Sequence, residues 1–246
     1  MTRESHFFNH EDSHLPDIRV VSFDVWMTLI RSHPEYKRER ARVMGSALNF
    51  SGDLTEVTAQ IRQVDMEMEA RSEAEGAQYG FAERIRAIQE HMHGSPSRVS
   101  NDMIATLEGE LADLLTQYPP LLLEDDLPDT LKQLQERGRL AVISNTGLID
   151  GRYMRIALDL IGIRQHIATE IYSNEAGIAK PNTKIFDLLA QEAQVDHTQI
   201  LHIGDTMKAD YRGAQSAGMH ALHFSQKPLE DVERIASIRE LLRHIS

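Results

Sequence analysis

Apolar residues in this chain fall into two textures. Ile18-Arg19-Val20-Val21-Ser22-Phe23 is short, β-branched and largely apolar, the pattern of a strand buried on both faces, and it stops at Asp24. From about His33 to Leu123 the apolar positions instead recur every three to four residues. They predict four helices, near 34–49, 54–74, 81–93 and 98–117, with breaks at Ser51-Gly52, Gly76 to Gly80 and Gly94-Ser95-Pro96. In the last of these, Ile104, Leu107, Leu111, Leu114 and Leu115 form one stripe. Beyond Pro119-Pro120 the first texture returns in alternation with helices. Helices at 128–137, 150–161, 182–194 and 207–216 separate strands at 140–143, 169–172 and 200–203 and one from Met219 to Phe224. Such alternation predicts βαβ units and a parallel sheet. The lone first strand has only that sheet to join. The expected layout is an α/β core, residues 18–32 plus 124–246, interrupted by a helical insertion at 33–123, with a polar tail over 1–17.

Composition narrows this picture without changing it. The 246 residues are 41% hydrophobic and 26% charged, ordinary usage for a globular chain able to bury a full core. The absence of cysteine excludes disulfides, thiolate metal sites and a cysteine nucleophile, and is compatible with a reducing cytoplasm. A net charge of −12 argues against nucleic acid as a partner. No apolar run approaches the roughly 20 residues of a spanning helix, and the first seventeen residues lack the apolar centre of a signal peptide. A cytoplasmic protein acting on a small molecule is expected; monomer and homodimer are equally compatible. His6, His10 and His14 would share a helical face able to hold a metal, against the plainer expectation of a frayed tail.

Chemistry is expected at the carboxyl ends of the strands, where open parallel sheets bind ligands. Those ends carry Asp24, then Ser144-Asn145, a loop with Lys180, and Gly204-Asp205 with Asp210 five residues on. Any single Asp here has a simpler use, and Asp205 would serve as a helix N-cap. Three carboxylates in one cleft repel one another unless a positive charge sits among them. A hard cation such as Mg²⁺ is the natural neutraliser, with lysine as a second. Elsewhere, the mixed run Glu35, Lys37, Arg38, Glu39, Arg40 and Arg42 reads as a solvated helix face rather than a substrate clamp. His91 and His93, just before Gly94, read as a helix-end feature, with proton supply as the alternative. Met44, Met66, Met68, Met92 and Met103 read as core or adaptable lining.

Four segments in order resemble the motifs of the haloacid dehalogenase-like (HAD) hydrolases. They are Phe23-Asp24-Val25-Trp26-Met27-Thr28-Leu29, Val142-Ile143-Ser144-Asn145, Gly177-Ile178-Ala179-Lys180-Pro181, and His202-Ile203-Gly204-Asp205-Thr206 through Asp210. The resemblance spans about 140 residues of the α/β core, and it implies a Rossmann-like sheet with an inserted α-helical cap domain. It also implies roles: Asp24 as nucleophile forming an aspartyl-phosphate, and Ser144 with the Asn145 backbone N–H holding the phosphoryl group. Lys180 would steady the nucleophile and the transition state. Asp24, the Trp26 carbonyl, Asp205 and Asp210 would place Mg²⁺. Trp26 and Thr28 fall in the substrate-contacting part of the first motif.

One position departs from that resemblance. Phosphatases of the family usually carry a second Asp two residues after the nucleophile, as general acid and base. Here the position is Trp26, whose indole N–H donates only. Loss of a positioned acid/base removes about 10²–10⁴ in rate. Dehalogenases of the family have an aromatic residue there, but they lack the acidic fourth motif that this chain keeps. Three readings follow: a slow Mg²⁺-dependent phosphohydrolase acting on a small phosphorylated metabolite, a 2-haloacid dehalogenase-like hydrolase, and a catalytically silent binding protein. The insertion carries 9 Lys/Arg against 15 Asp/Glu, a balance that weakly disfavours polyphosphorylated substrates.

Overall fold

The computed structural model describes residues 17–96, 98–227 and 232–245; His6, His10 and His14 lie outside them. Six strands form one parallel sheet: β1 (Val20–Phe23), β4 (Arg139–Ser144), β5 (Ile167–Tyr172), β6 (Ile200–Gly204), β7 (His220–Phe224) and β8 (Arg234–Ile235). Their order is β5-β4-β1-β6-β7-β8, with every pairing parallel. The first strand therefore sits at the centre, between β4 and β6. Register aligns Phe23 with Val142 on one side and Ile203 on the other. The residues just beyond, Asp24, Ser144 and Gly204-Asp205, consequently emerge at one edge of the sheet, at the point where strand order reverses.

Helices cover both faces. On one side α5 (Leu127–Gln135) and α6 (Gly151–Leu160) pack Leu131, Leu134, Met154 and Leu158 against Phe23, Val142 and Ile203. On the other, α8 (Thr183–Ala193) packs Ile185, Phe186 and Leu189 against Ala141 and Ile143. Each such side chain, fully buried, contributes about 1.5–3 kcal/mol.

Four helices lie between β2 (Ile30–Arg31) and β3 (Leu121–Leu122): α1 (Pro34–Ala47), α2 (Leu54–Glu75), α3 (Phe81–His93) and α4 (Asn101–Gln117). Their boundaries follow local chemistry. Asp53 and Glu56 close a capping box at the start of α2, which ends at Gly76 with φ 63°. Gly94, at φ 61°, ends α3 in the same left-handed way. Met44, Ile61, Ile85, Ile88, Leu107 and Leu111 meet in the cap's own core. β2 and β3 pair antiparallel where the chain leaves and re-enters the sheet domain. Two-residue strands carry no periodicity, so the sequence did not predict them. A second difference lies after β6. The expected helix at 207–216 is a π-helical turn, Met207–Arg212, followed by the short α9 (Gly213–Ser216). α7 (Ser173–Ala176), a single turn after β5, completes the elements named here.

Candidate active site

Asp24, Asp205 and Asp210 each offer a carboxylate oxygen within 4.8 Å of the others, so the sheet edge does gather the three acids. Lys180 lies among them, 1% exposed, and its Nζ donates to Asp24 Oδ1 at 2.7 Å, Asp210 Oδ1 at 2.6 Å and the Ile143 carbonyl at 2.7 Å. An ammonium has three donors, and all three are used. Asn145 fixes the lysine's backbone from both sides, its Oδ1 accepting from Lys180 N at 2.8 Å and its Nδ2 donating to Lys180 O at 3.0 Å.

Asp210 reaches this cluster because the chain turns back on itself after β6. Its Oδ2 accepts from Thr206 N at 2.9 Å, while Oδ1 takes Lys180 and, at 3.3 Å, His202 Nε2. The π-helical turn and Gly204 make room for it: a Cβ on Gly204 would lie 2.2 Å from the Asp210 carboxyl carbon. Behind Asp210, fully buried His202 is bonded through Nδ1 to Ser22 Oγ at 3.0 Å. Burial lowers the His202 pKa, so a neutral ring donates Nε2–H to Asp210. The plainer alternative for Asp205, a helix cap, is not what the structure shows, since no side chain caps the turn that follows it. Its carboxyl is left facing the cleft.

The electrostatics follow from burial and neighbours. Burial raises Asp24 to about 7, against the pull of Lys180 and with the repulsion of Asp210 and Asp205 adding to it. Burial and Asp210 raise Asp205 to about 6. Burial pushes Asp210 the same way, but Lys180 and the His202 hydrogen bond outweigh it and hold the carboxyl below the usual range. Lys180, which burial alone would discharge, is raised instead by Asp210 and Asp24. A divalent cation suits what remains. Asp24 Oδ2 and the Trp26 carbonyl accept no hydrogen bond among the described residues, the Asp205 carboxyl meets only its own backbone N–H, and all are hard oxygen donors. Both Asp210 oxygens are already engaged, which suits it to orienting the others.

This cluster is the floor of a cavity of about 580 Å³, large enough for a small metabolite. Trp26, half-buried, lines it beside Asp24; Met27, at φ 59° and 55% exposed, follows. Ser144 and Thr28 are different. Both are fully buried and neither lines the cavity, and the Thr28 hydroxyl has no partner. Asn145, Lys180, Asp205 and Asp210 all line it.

The cap closes the opposite side with residues that the sequence did not single out. Asp65, Glu69 and Glu73 stand four apart on α2, and Arg84 of α3 pairs with Asp65. The carboxylate spacing was the available signal. The charge run on α1 divides by helical periodicity: Lys37, Arg38 and Arg42 are exposed, as a solvated face requires, whereas Arg40 is half-buried. Arg38 and Arg42 pair with Glu35 and Glu39, whereas Lys37 and Arg40 line the cavity. Met66 lines it too, while Met44, Met68 and Met92 belong to the cap core. His93 bonds the Leu48 carbonyl at 2.7 Å, and neither it nor His91 lines the cavity.

The sequence profile of haloacid dehalogenase-like hydrolases matches residues 18–218. A curated relative, the haloacid dehalogenase-like hydrolase domain-containing protein 3 of Bos taurus, is 29% identical over 85% of this chain and 82% of its own length. The pyrimidine 5'-nucleotidase YjjG of Escherichia coli is 26% identical over 62% of this chain, which spans 63% of the nucleotidase. Among solved structures, the magnesium-bound HAD-hydrolase YfnB of Bacillus subtilis superposes with a TM-score of 0.71 at 20% identity, covering 92% of this chain and 97% of that one.

Proposed function

The chain belongs to the haloacid dehalogenase-like hydrolases and is a hydrolase, and we propose that it hydrolyses a small phosphomonoester through an aspartyl-phosphate on Asp24. The observation that carries this reading is the pairing of Asp24 with a saturated, buried Lys180 while Asp24 Oδ2 stays free at the floor of the cavity. Similarity to a nucleotidase that acts on a phosphate ester supports it.

Asp24 attacks phosphorus through the carboxylate oxygen that does not hold the cation, the P–O ester bond breaks, and the departing alkoxide takes a proton from water. Water then attacks the acyl phosphate, releasing phosphate and restoring the carboxylate. Lys180 keeps Asp24 aimed and spreads positive charge beneath the transferring group. Asn145 holds Lys180 in place, and its own N–H is assigned to the phosphoryl oxygens; Ser144, buried outside the cavity lining, is left without that role. Thr28, expected to contact substrate, is fully buried and outside the cavity lining, so no substrate contact is assigned to it. Mg²⁺ is the proposed metal, held by Asp24, Asp205 and the Trp26 carbonyl with Asp210 behind them. When bound, it neutralises the charge of the phosphoryl oxygens that would otherwise repel Asp24. Residues 18–32 plus 124–246 are assigned as catalytic core and 33–123 as cap, in a cytoplasmic enzyme.

Trp26 supplies neither acid nor base, so turnover is slow and favours leaving groups that are stable as anions. The same residue favours a second reading, dehalogenation, in which Asp24 displaces halide from a 2-haloacid; the acidic cluster, which that chemistry does not need, weighs against it. A screen of aryl, acyl and alkyl phosphates and 2-haloacids, with Mg²⁺ and with chelator, separates the two. Metal-dependent phosphate release that Asp24→Asn abolishes is expected. Phosphate release that survives this change, or metal-independent halide release, would overturn the proposal.

A further inference from the structure

The first cap helix carries four basic side chains within six residues, and they are not equivalent. Arg38 lies 2.6 Å from Glu35, and Arg42 lies 2.7 Å from Glu39. Lys37 and Arg40, one turn apart, face the cavity, and neither has an ion pair among the described residues. The Arg40 guanidinium lies 5.8 Å from the centre of the Tyr36 ring, and its Nε is buried without a hydrogen-bond partner. A buried donor left unmade is costly, and a guanidinium fork matches the geometry of an oxyanion. The remaining basic residue of the cap wall, Arg84, is already committed to Asp65. Two cations of this cavity therefore lack an anion, although the insertion around them is acidic overall.

The neighbouring helix α2 brings Glu69 and Glu73 to the same cavity, carboxylates that would turn an anion away from α2 and toward α1. At 580 Å³ the cavity exceeds what a phosphoryl group fills. From this placement we infer that Lys37 and Arg40 form a subsite for a second oxyanion, and that the substrate is a small phosphomonoester bearing a carboxylate or a second phosphate at its far end. The inference rests on the phosphohydrolase reading for the near end only; the subsite itself is defined by α1.

The test uses three esters of one carbon skeleton: 3-hydroxypropyl phosphate, 3-phosphonooxypropanoate and propane-1,3-diyl bisphosphate. In the full-length protein with saturating Mg²⁺, at least one of the two with a second anion should exceed the hydroxyl compound in kcat/KM by about tenfold or more, mainly through KM, since hydrogen bonds to charged groups are of that strength. Which of the two wins distinguishes carboxylate from phosphate. In the double variant Lys37→Gln/Arg40→Gln that ratio should fall to within about twofold of unity. Arg40→Lys should keep part of it, and Arg42→Gln, on the outer face of α1, should keep all of it. Equilibrium binding of the same three compounds to the Asp24→Asn protein gives a readout without turnover and should show the same ratio. Hydrolysis of none of them, nor of an aryl phosphate run alongside, with the binding preference intact would defeat the phosphohydrolase reading and leave the subsite standing. A ratio near one in both turnover and binding, no binding of any member, or a preference untouched by the double variant would overturn the subsite.

Discussion

Lys180 shows how a buried charge is kept at the centre of this site. Its three protons go to Asp24, Asp210 and the Ile143 carbonyl, so the ammonium is compensated inside the fold before any ligand arrives. The three carboxylates are not compensated to the same degree. With an ordinary value near 3.8 raised to about 7, Asp24 binds more protons in the native than in the unfolded state between those two pH values. Its contribution to stability therefore falls as pH rises through that window. Burial depresses His202, which gives a slope of opposite sign, so a variant is needed to isolate Asp24. Without divalent cation, the native Tm should decline relative to that of Asp24→Asn from pH 5 to pH 8, and Mg²⁺ should restore it mostly at pH 8. Parallel Tm profiles for the two proteins would show that Asp24 is not protonated in the metal-free state. Trp26 makes a second prediction at this scale. Trp26→Asp should raise alkyl-phosphate hydrolysis by up to about 10²–10⁴ while changing aryl-phosphate turnover less, as steady-state kinetics on the two classes will read. Equal rates for both classes in the native enzyme would mean that another residue supplies the proton.

At the scale of the element, what the sequence disclosed depended on length. The long cap helices and the central strands were legible because each repeats its apolar period several times: α3 runs from Phe81 to His93 as expected, and α2 from Leu54 to Glu75. β2 and β3 were not, since two residues define no period, and their pairing is fixed by the chain returning from the cap. The turn after β6 was legible as helix but not as a π-turn, because the cause is tertiary: Asp210 must fold back to Thr206 N while keeping Lys180 and His202. Gly204 is the enabling residue. Gly204→Ala would drive its Cβ into the Asp210 carboxyl, so Asp210 must leave the cluster or β6 must shift. Calorimetry should then show Mg²⁺ affinity lowered by about tenfold or more, with a modest loss of Tm, as expected when a group orienting metal ligands is displaced. Native Mg²⁺ affinity in this variant would mean that Asp210 has no part in holding the ligands.

The whole molecule explains why the floor of the site was readable from sequence and its walls were not. Asp24, Asn145, Lys180, Asp205 and Asp210 belong to one sheet edge, where strand order gathers the loops that carry them and the turn after β6 brings in Asp210. Lys37, Arg40, Glu69 and Glu73 reach the same cavity only because the cap folds over the core, a relation between distant segments that no local pattern encodes. Tyr36 and Leu115 of the cap pack into the sheet domain's cluster, Leu148 of the core packs into the cap's, and polar contacts join the two beside the cavity. The loop after α2 meets the core through an Ala77–Ile178 bridge, and the Gln78 side chain donates to the Thr146 carbonyl at 3.0 Å. Thr146 is itself held on the core side, its N–H donating to Ser173 Oγ at 2.8 Å. Removing one such bond weakens closure by about 1 kcal/mol, roughly fivefold in the closed-to-open ratio. Gln78→Ala should therefore raise KM several-fold for any substrate held between cap and core. It should leave Tm nearly unchanged, because neither hydrophobic core loses a contact. Tm and KM measured on the same preparation decide the matter: a large drop in Tm with KM unaltered would make this contact part of the fold's stability rather than of the cavity's closure.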